Sequence, residues 1–464
     1  IGGANALQVV SVLDADAGIE LSGVTITGGS ADAPHPQDGG AGIYVEVPSV
    51  DLTLRDCNIV GNRSGTTADD GVNGDGAGIF FDSANGSLDL NGCVVAGNGL
   101  LKFDNAVDGA GMEVYNAELT MTDCLFDGNF IQGSAGSGSS SGFAFAIFGT
   151  DVESCALTDV VIQNHNAAGS LSGSTSTIRA QRLASLSFVR CRFQGNSQNN
   201  GVADSLILTA AISSRQTTDC LFAGNEAPRL WNVQSFSPHE AQSLTFLNTT
   251  VARNNSTYFL YRLSTLANGI VSFGNCYVDE PLDPNLTSSF TIFRSHSVVT
   301  GFPADGNGNL DFPTTNPLFI DPRSPAEAPT TAGNYRLLPT SPLLDAGSNA
   351  ATTSPLDLDE NLRVQDGDGN GTGTIDIGAF EVIAADGSIE ITAIAYDENT
   401  GQVTLTVESA AAITYTVEYN TIVAAGPWNT GPTGTLSAGT NTIPVPQNTY
   451  NGPQPRTYFR VVTP

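Results

Sequence analysis

The feature that most constrains this chain is a segment that returns every 27 to 36 residues. It reads RDCNIVGN (55–62), NGCVVAGN (91–98), TDCLFDGN (122–129), TDVVIQN (158–164), VRCRFQGN (189–196), TDCLFAGN (218–225) and LNTTVARN (247–254). SGVTITGG (22–29) precedes these segments and GNCYVDE (274–280) follows them. The cysteine column runs Val24, Cys57, Cys93, Cys124, Val160, Cys191, Cys220, Thr249 and Cys276. Two residues after it, and three and five before it, the columns are mostly apolar. Inward residues at those offsets mean two short strands of period two with a bend between them. A repeat of this length with β patterning is a solenoid, because each turn buries its apolar row only against its neighbours. Helical repeats would carry a 3.6-residue period, which is missing. Nine turns at about 4.8 Å each predict a rod of roughly 40 Å. Arg215 and Thr217 interrupt the apolar columns, so an irregular turn is expected there.

Two polar columns follow from this register. Cys57, Cys93, Cys124, Cys191 and Cys220 are expected to stack as buried thiols. A bridge such as Cys191–Cys220 stays open in an oxidising compartment, since neighbouring turns bring Cα atoms within bridging range. Asn62, Asn98, Asn129, Asn164, Asn196, Asn225 and Asn254 close successive turns. Asn tolerates the left-handed corner, and stacked Asn amides hydrogen-bond from turn to turn. A further apolar strand follows a variable loop, as in GAGIYVEV (40–47), GAGIFFD (76–82), GAGMEVY (109–115) and GFAFAIF (142–148).

The expected fold is therefore all-β: a right-handed parallel β-helix (solenoid) over 1–315, a β-helix ending over 316–384, and a small β-sandwich over 385–464. The last part rests on the alternating run IEITAIAYDENTGQVTLTVESAAAITYTVEYN (389–420) and the closing strand TYFRVVTP (457–464).

Charge narrows the partners. The net charge is −30 over 464 residues, and the 17 basic residues include a single lysine, Lys102. Phosphate binding needs basic patches, so a nucleic-acid partner is excluded. No run of 18 apolar residues is present, so no membrane span is expected. Ile1–Val12 already reads as β sequence, and the chain is expected to be a processed or trimmed product.

The LxLxxCxhxxN turns resemble the right-handed parallel β-helix superfamily, which includes pectate lyases and polygalacturonases. NPLFIDP (316–322), YRLLPTSPLLDAGSN (335–349) and DLDENLRVQDGDGNGTGTIDIGAFEV (357–382) are similar to the ending of the choice-of-anchor Q proteins. These are secreted bacterial β-helix proteins with varied C-terminal anchoring. The resemblance covers roughly residues 1–382 and implies an extracellular or cell-surface location, without a chemistry.

Candidate sites are few. Asp366, Asp368, Asn370, Thr372 and Asp376 form a Gly-rich oxygen-ligand loop that suits calcium, although its final acid comes one position early for an EF-hand. Asp38, Asp75 and Asp108 each stand before a GAG-type turn and would stack one turn apart. Asp69–Asp70 is an isolated acidic pair, and Lys102 beside Asp104 and Asp108 is the single candidate base for a lyase. The histidines His35, His165, His239 and His296 show no ligand spacing. A Gly-His-Gly with Arg-x-Lys, as in polygalacturonases, is missing.

No catalytic constellation emerges, and the expected function is that of a structural or adhesive surface protein. The solenoid end at Ile1–Val12 lacks a capping helix in sequence, so head-to-tail contact between copies would cover it and build a filament. A calcium-dependent polysaccharide lyase or other carbohydrate-active enzyme is one alternative. A non-catalytic protein binding cell-surface or matrix polysaccharide is another.

Overall fold

The computed structural model describes the chain except residues 1, 7, 13–17, 32–39, 66–74, 103–106, 134–139, 170–174, 199–203, 235–240, 263–267, 314–317, 384–388, 398–399, 401, 410–412, 421–428, 438, 446–457 and 463–464. The fold is all-β, a parallel β-helix followed by a β-sandwich. Two compact units divide the residues: 1–364 with 373–382, and 365–372 with 383–464.

Each turn of the solenoid has three faces. The first is typified by Ile43–Glu46, the second by Asp51–Arg55 and the third by Asn58–Val60. Every face stacks in parallel register, so Leu52, Leu88, Leu119, Cys155 and Leu186 form one inward row. These rows fill a single continuous apolar core. The stack runs one turn past Cys276, through Phe290–Ser295 and Val298–Val299.

The recurring motif is explained by its two corners. The residue before the cysteine column takes positive φ: Asp56 at 52°, Asp123 at 53°, Asp219 at 56° and Asn248 at 46°. Asp, Asn and Gly reach this region most cheaply. The next residue turns inward, and its Sγ donates to the carbonyl two residues back, as from Cys57 to Arg55 at 3.2 Å and from Cys276 to Gly274 at 3.2 Å. Thr249 does the same with Oγ1 toward Leu247 at 2.9 Å, and Ser297 toward Ser295 at 2.9 Å. The column selects a small hydrogen donor, for which a thiol is the least polar choice. All seven cysteines are buried thiols. The open bridge between Cys191 and Cys220 is not formed; instead Cys220 Sγ accepts from Cys191 N at 3.3 Å.

The second corner carries positive φ at Gly61, Gly97, Gly128, Gly195 and Gly224. The Asn one residue on turns inward and is fully buried. Asn62 N and Nδ2 both donate to Asn98 Oδ1, at 3.0 and 3.1 Å, and Asn62 Nδ2 also donates to Ile26 O at 3.1 Å. Asn98 repeats this with Asn129, Asn196 with Asn225, and Asn225 with Asn254. Asn164 does not belong to this ladder. It sits at the glycine corner with φ 58°, is exposed, and donates to Asp127 at 2.8 Å. His165 holds the ladder position, fully buried, and its N donates to Asn196 Oδ1 at 3.2 Å. His165 stands five residues after Val160, as Asn62, Asn98 and Asn129 stand five after Cys57, Cys93 and Cys124.

The second glycine of each GAG abuts the ladder. A Cβ on Gly42, Gly78 or Gly111 would stand 2.9–3.0 Å from the amide nitrogen of Asn62, Asn98 or Asn129 and nearer still to the next turn's carbonyl. In the following turn Ala144 replaces the glycine and His165 replaces the Asn.

Arg215 causes no irregular turn. The strand Ser205–Thr218 is continuous, with Arg215 in register with Leu186. Its buried guanidinium donates from Nε to Thr209 at 3.0 Å and from Nη1 to Ile212 O at 2.7 Å.

The segment after the last turn lies along the third face. Leu318, Phe319, Tyr335, Leu343, Leu358 and Ile377 pack against Leu221, Ala252, Tyr277 and Val298. DLDENLR and DIGAFE lock it in place. Arg363, 1% exposed, donates to Asp219 at 2.8 Å and to Glu381 at 2.7 Å. Asp376 accepts from Asp345 N and Val382 N, both at 2.7 Å, and Asp357 accepts from Glu381 N at 2.8 Å. In the other unit, Ile389–Asp397, Gln402–Ser409 and Gly439–Val445 form one antiparallel sheet, and Asn429–Leu436, Ile413–Asn420 and Tyr458–Val462 form another. They share a core of Val403, Leu405, Val407, Val417, Leu436 and Ile443.

Three outcomes are expected. Asn129→Leu strips acceptors from a buried neighbour and should lower unfolding free energy by about 3 kcal/mol in urea titration. Asn164→Gly, at an exposed corner already left-handed, should cost no more than about 1 kcal/mol. Arg363→Met leaves Asp219 and Glu381 buried without their cation and should cost about 3–5 kcal/mol, read in the same titration.

Candidate functional site

The first face turns alternate side chains outward. Ile43–Glu46 presents Tyr44 and Glu46, Ile79–Asp82 presents Phe80 and Asp82, and Met112–Tyr115 presents Glu113 and Tyr115. The register stacks Tyr44, Phe80 and Glu113 in one outer column and Glu46, Asp82 and Tyr115 in the next. Three successive turns thus carry one ring and one carboxylate each. The following two turns present Ala146 with Phe148, then Arg179 with Gln181.

The rings join into a stripe along the solenoid. Centroids lie 5.3 Å apart for Tyr44 and Phe80, 6.0 Å for Phe80 and Tyr115, and 5.0 Å for Tyr115 and Phe148. Arg179 closes the stripe, with its guanidinium 5.0 Å from the Phe148 centroid and 2.7 Å from Asp108. Tyr44 donates its hydroxyl to Glu46.

Glu113 is the electrostatic centre of this face. It is fully buried. Its Oε1 accepts the Tyr115 hydroxyl at 2.8 Å, and its Oε2 has no partner among the described residues. Burial pushes the Glu113 carboxyl well above the ordinary range, and Asp75 and Asp108 push it further, while Tyr115 and Arg179 pull it back. Asp75 accepts from Asp108 N at 3.2 Å, which ties the two stacked acids to one edge of the cluster. Gly109, with φ 69°, folds the chain over Glu113, and a Cβ there would meet the Glu113 Cβ at 2.6 Å.

Of the other expected residues, Asp38, Asp69, Asp70, Asp104, His35 and His239 lie outside the described residues. Lys102 ends the strand Gly99–Lys102, and its side chain also lies outside them. His165 is a ladder residue, pushed down to about 4 by burial. Of the calcium set, Asp376 lies in one unit and Asp366, Asp368, Asn370 and Thr372 in the other. Asp376 is buried, and both its oxygens accept backbone amides of its own unit. In the loop Gln365–Thr372, Asp366 accepts from Asn370 N at 3.0 Å and Gly371 N at 2.7 Å, and Asn370 accepts from Thr372 N at 2.9 Å.

Reading the first-face strands only as apolar runs misses this cluster. The signal was present in the alternate letters of IYVE, IFFD and MEVY. No family model of known proteins matches this chain, and no curated protein matches it. Among the described residues no helix is long and apolar enough to cross a membrane.

A pH dependence follows. The folded pKa of Glu113 is raised above its unfolded value, so its contribution to stability is complete below about 4.3 and is lost as pH rises toward the folded value. Asp376, pushed up to about 7 by burial, acts in the same direction. The melting temperature should fall from about pH 5 to about pH 9, and Glu113→Gln should flatten part of that fall in calorimetry.

Proposed function

We propose that this protein is an extracellular or cell-surface β-helix that adheres by binding polysaccharide, without turnover, along the first face of its solenoid. The observation that carries the reading is the ring-and-carboxylate pairing repeated over Tyr44/Glu46, Phe80/Asp82 and Glu113/Tyr115. A stripe of stacked, half-buried rings at Phe80, Tyr115 and Phe148 offers apolar edges for sugar rings to pack against, and the flanking carboxylates Glu46 and Asp82 accept sugar hydroxyl hydrogens. The similarity of residues 316–382 to the choice-of-anchor Q ending supports the location, and the latch around Arg363 gives that ending a physical task. Burial of every thiol keeps the cysteines away from oxidants outside the cell. Head-to-tail contact between copies belongs to the same reading as a way to lengthen the rod.

Hydrolysis is a second reading, favoured by Glu113, whose carboxyl is pushed above the ordinary range by burial and by Asp75 and Asp108. Its complete burial keeps it from a substrate and weighs against turnover. Titration of the full chain against a panel of soluble polysaccharides tests both. Saturable binding without release of reducing ends is expected, and Tyr115→Ala with Phe148→Ala should weaken it by about tenfold or more. Binding unchanged in that double variant would overturn the reading.

A further inference from the structure

A pocket opens where the solenoid crosses from the asparagine ladder back to the first face. In early turns this crossing is long, as from Asn62 to Ile79 and from Asn98 to Met112. In two successive later turns it shrinks to Asn225–Arg229 and Asn254–Tyr258, where the strands Arg229–Gln234 and Tyr258–Arg262 begin. The crossing after these carries the helix Pro284–Thr287. The two short crossings form a notch of about 190 Å³, lined by Glu226, Ala227, Pro228, Asn255, Ser256 and Thr257. That is the volume of about six waters. Backbone bonds fix its walls: Ala227 N donates to Asn255 O at 3.2 Å, Asn255 N to Asn225 O at 2.8 Å, and Thr257 N to Pro228 O at 3.0 Å. Glu226 accepts from Ser197 Oγ at 3.0 Å and from Asn255 Nδ2 at 3.4 Å, so turns on both sides aim its carboxylate.

The lining selects a ligand class. Glu226 is its one charged residue. A carboxylate repels an anion, and one carboxylate is too few to hold a hard cation. Asn255 and Thr257, both exposed, add an amide and a hydroxyl. The Ser256 hydroxyl is turned away from solvent and has no partner among the described residues. Rotation about its χ1 therefore gives up no hydrogen bond and brings a donor to the pocket. Ala227 and Pro228 supply a small apolar floor. Such a set suits a ring with hydroxyls on its rim and C–H bonds on its face. We infer that this pocket binds one uncharged pyranose unit, a chain end or branch of a glycan, with Glu226 accepting its hydroxyl hydrogens and Asn255, Ser256 and Thr257 donating to its oxygens. The pocket belongs to later turns than the aromatic stripe, and the inference does not rest on that stripe.

The test titrates the full chain calorimetrically with the methyl glycosides of glucose, galactose and mannose, and with methyl galacturonoside as the charged control. At least one neutral glycoside should bind with a Kd of about 1 mM, and methyl galacturonoside about tenfold or more weakly. Glu226→Gln and Ser256→Ala should each weaken the neutral sugar by about fivefold or more. Thr257 is exposed, so Thr257→Trp should block the pocket in a folded chain and abolish binding. Tyr115→Ala with Phe148→Ala should leave this binding unchanged. No saturable binding of any neutral glycoside up to about 50 mM would overturn the inference while leaving the stripe reading open to its own polysaccharide titration. Binding that survives Glu226→Gln, Ser256→Ala and Thr257→Trp but is lost with Tyr115→Ala and Phe148→Ala would place the sugar on the first face and overturn the pocket. Tighter binding of methyl galacturonoside than of every neutral glycoside would overturn it as well.

Discussion

The hydrogen bond from one asparagine to the next turn's asparagine is the interaction on which the rest of this structure depends. A parallel solenoid has corners where backbone amides leave the ladder and turn inward. Left without partners in an apolar interior, each would cost the full desolvation of a polar group. The Asn column places an acceptor against each of those amides and uses its own donors on carbonyls of the turn before. The corner glycine, the GAG backbone and the cysteine bend are all fitted around it. A side chain larger than glycine would collide with the ladder amide at Gly42, Gly78 and Gly111.

A second dependence runs from the ladder to the outer face. Fixed corners fix the register of Ile43–Glu46, Ile79–Asp82 and Met112–Tyr115, and that register brings Tyr44, Phe80 and Glu113 into one column. A slip of one residue would turn Glu113 and Tyr115 into the core and Met112 and Val114 outward. The chemistry of the outer face is thus set by hydrogen bonds on the far side of the same turn. The apolar latch surface works similarly, since Leu221, Ala252 and Tyr277 face outward on the third face only because Phe222, Val251 and Val278 face inward.

The solenoid itself was legible in the chain because its inward columns repeat in chemistry as well as in spacing. What escaped notice repeats in geometry alone. Ser297 ends the cysteine column in a turn with neither Cys nor Asn, so the last turn was passed over. Asn164 carries the right letter at the wrong corner, and His165 fills the ladder with the wrong letter. Arg215 reads as a break but lies inside, because its guanidinium finds Thr209 and a carbonyl within reach. The outer face was harder still, since ring and carboxylate exchange columns between Phe80/Asp82 and Glu113/Tyr115, which a column-by-column reading scores as noise. The acids near 366–376 were visible as a set, whereas the backbone amides that donate to their oxygens have no spacing signature.

The ladder also has a terminus. Its last amide donors, N and Nδ2 of Asn254, meet a carboxyl oxygen of Glu280, at 2.9 and 2.8 Å. The backbone N of Asn62, Asn98, Asn196, Asn225 and Asn254 points each time at a side-chain oxygen of the next turn, so the column resembles a polarised wire with a distinct head and foot, spliced at His165. Glu280 offers an acceptor there but no amide to pass the pattern onward. Growth of such a protein by duplication is therefore directional: a copied turn fits between two asparagines but cannot be appended beyond the glutamate that grounds the wire.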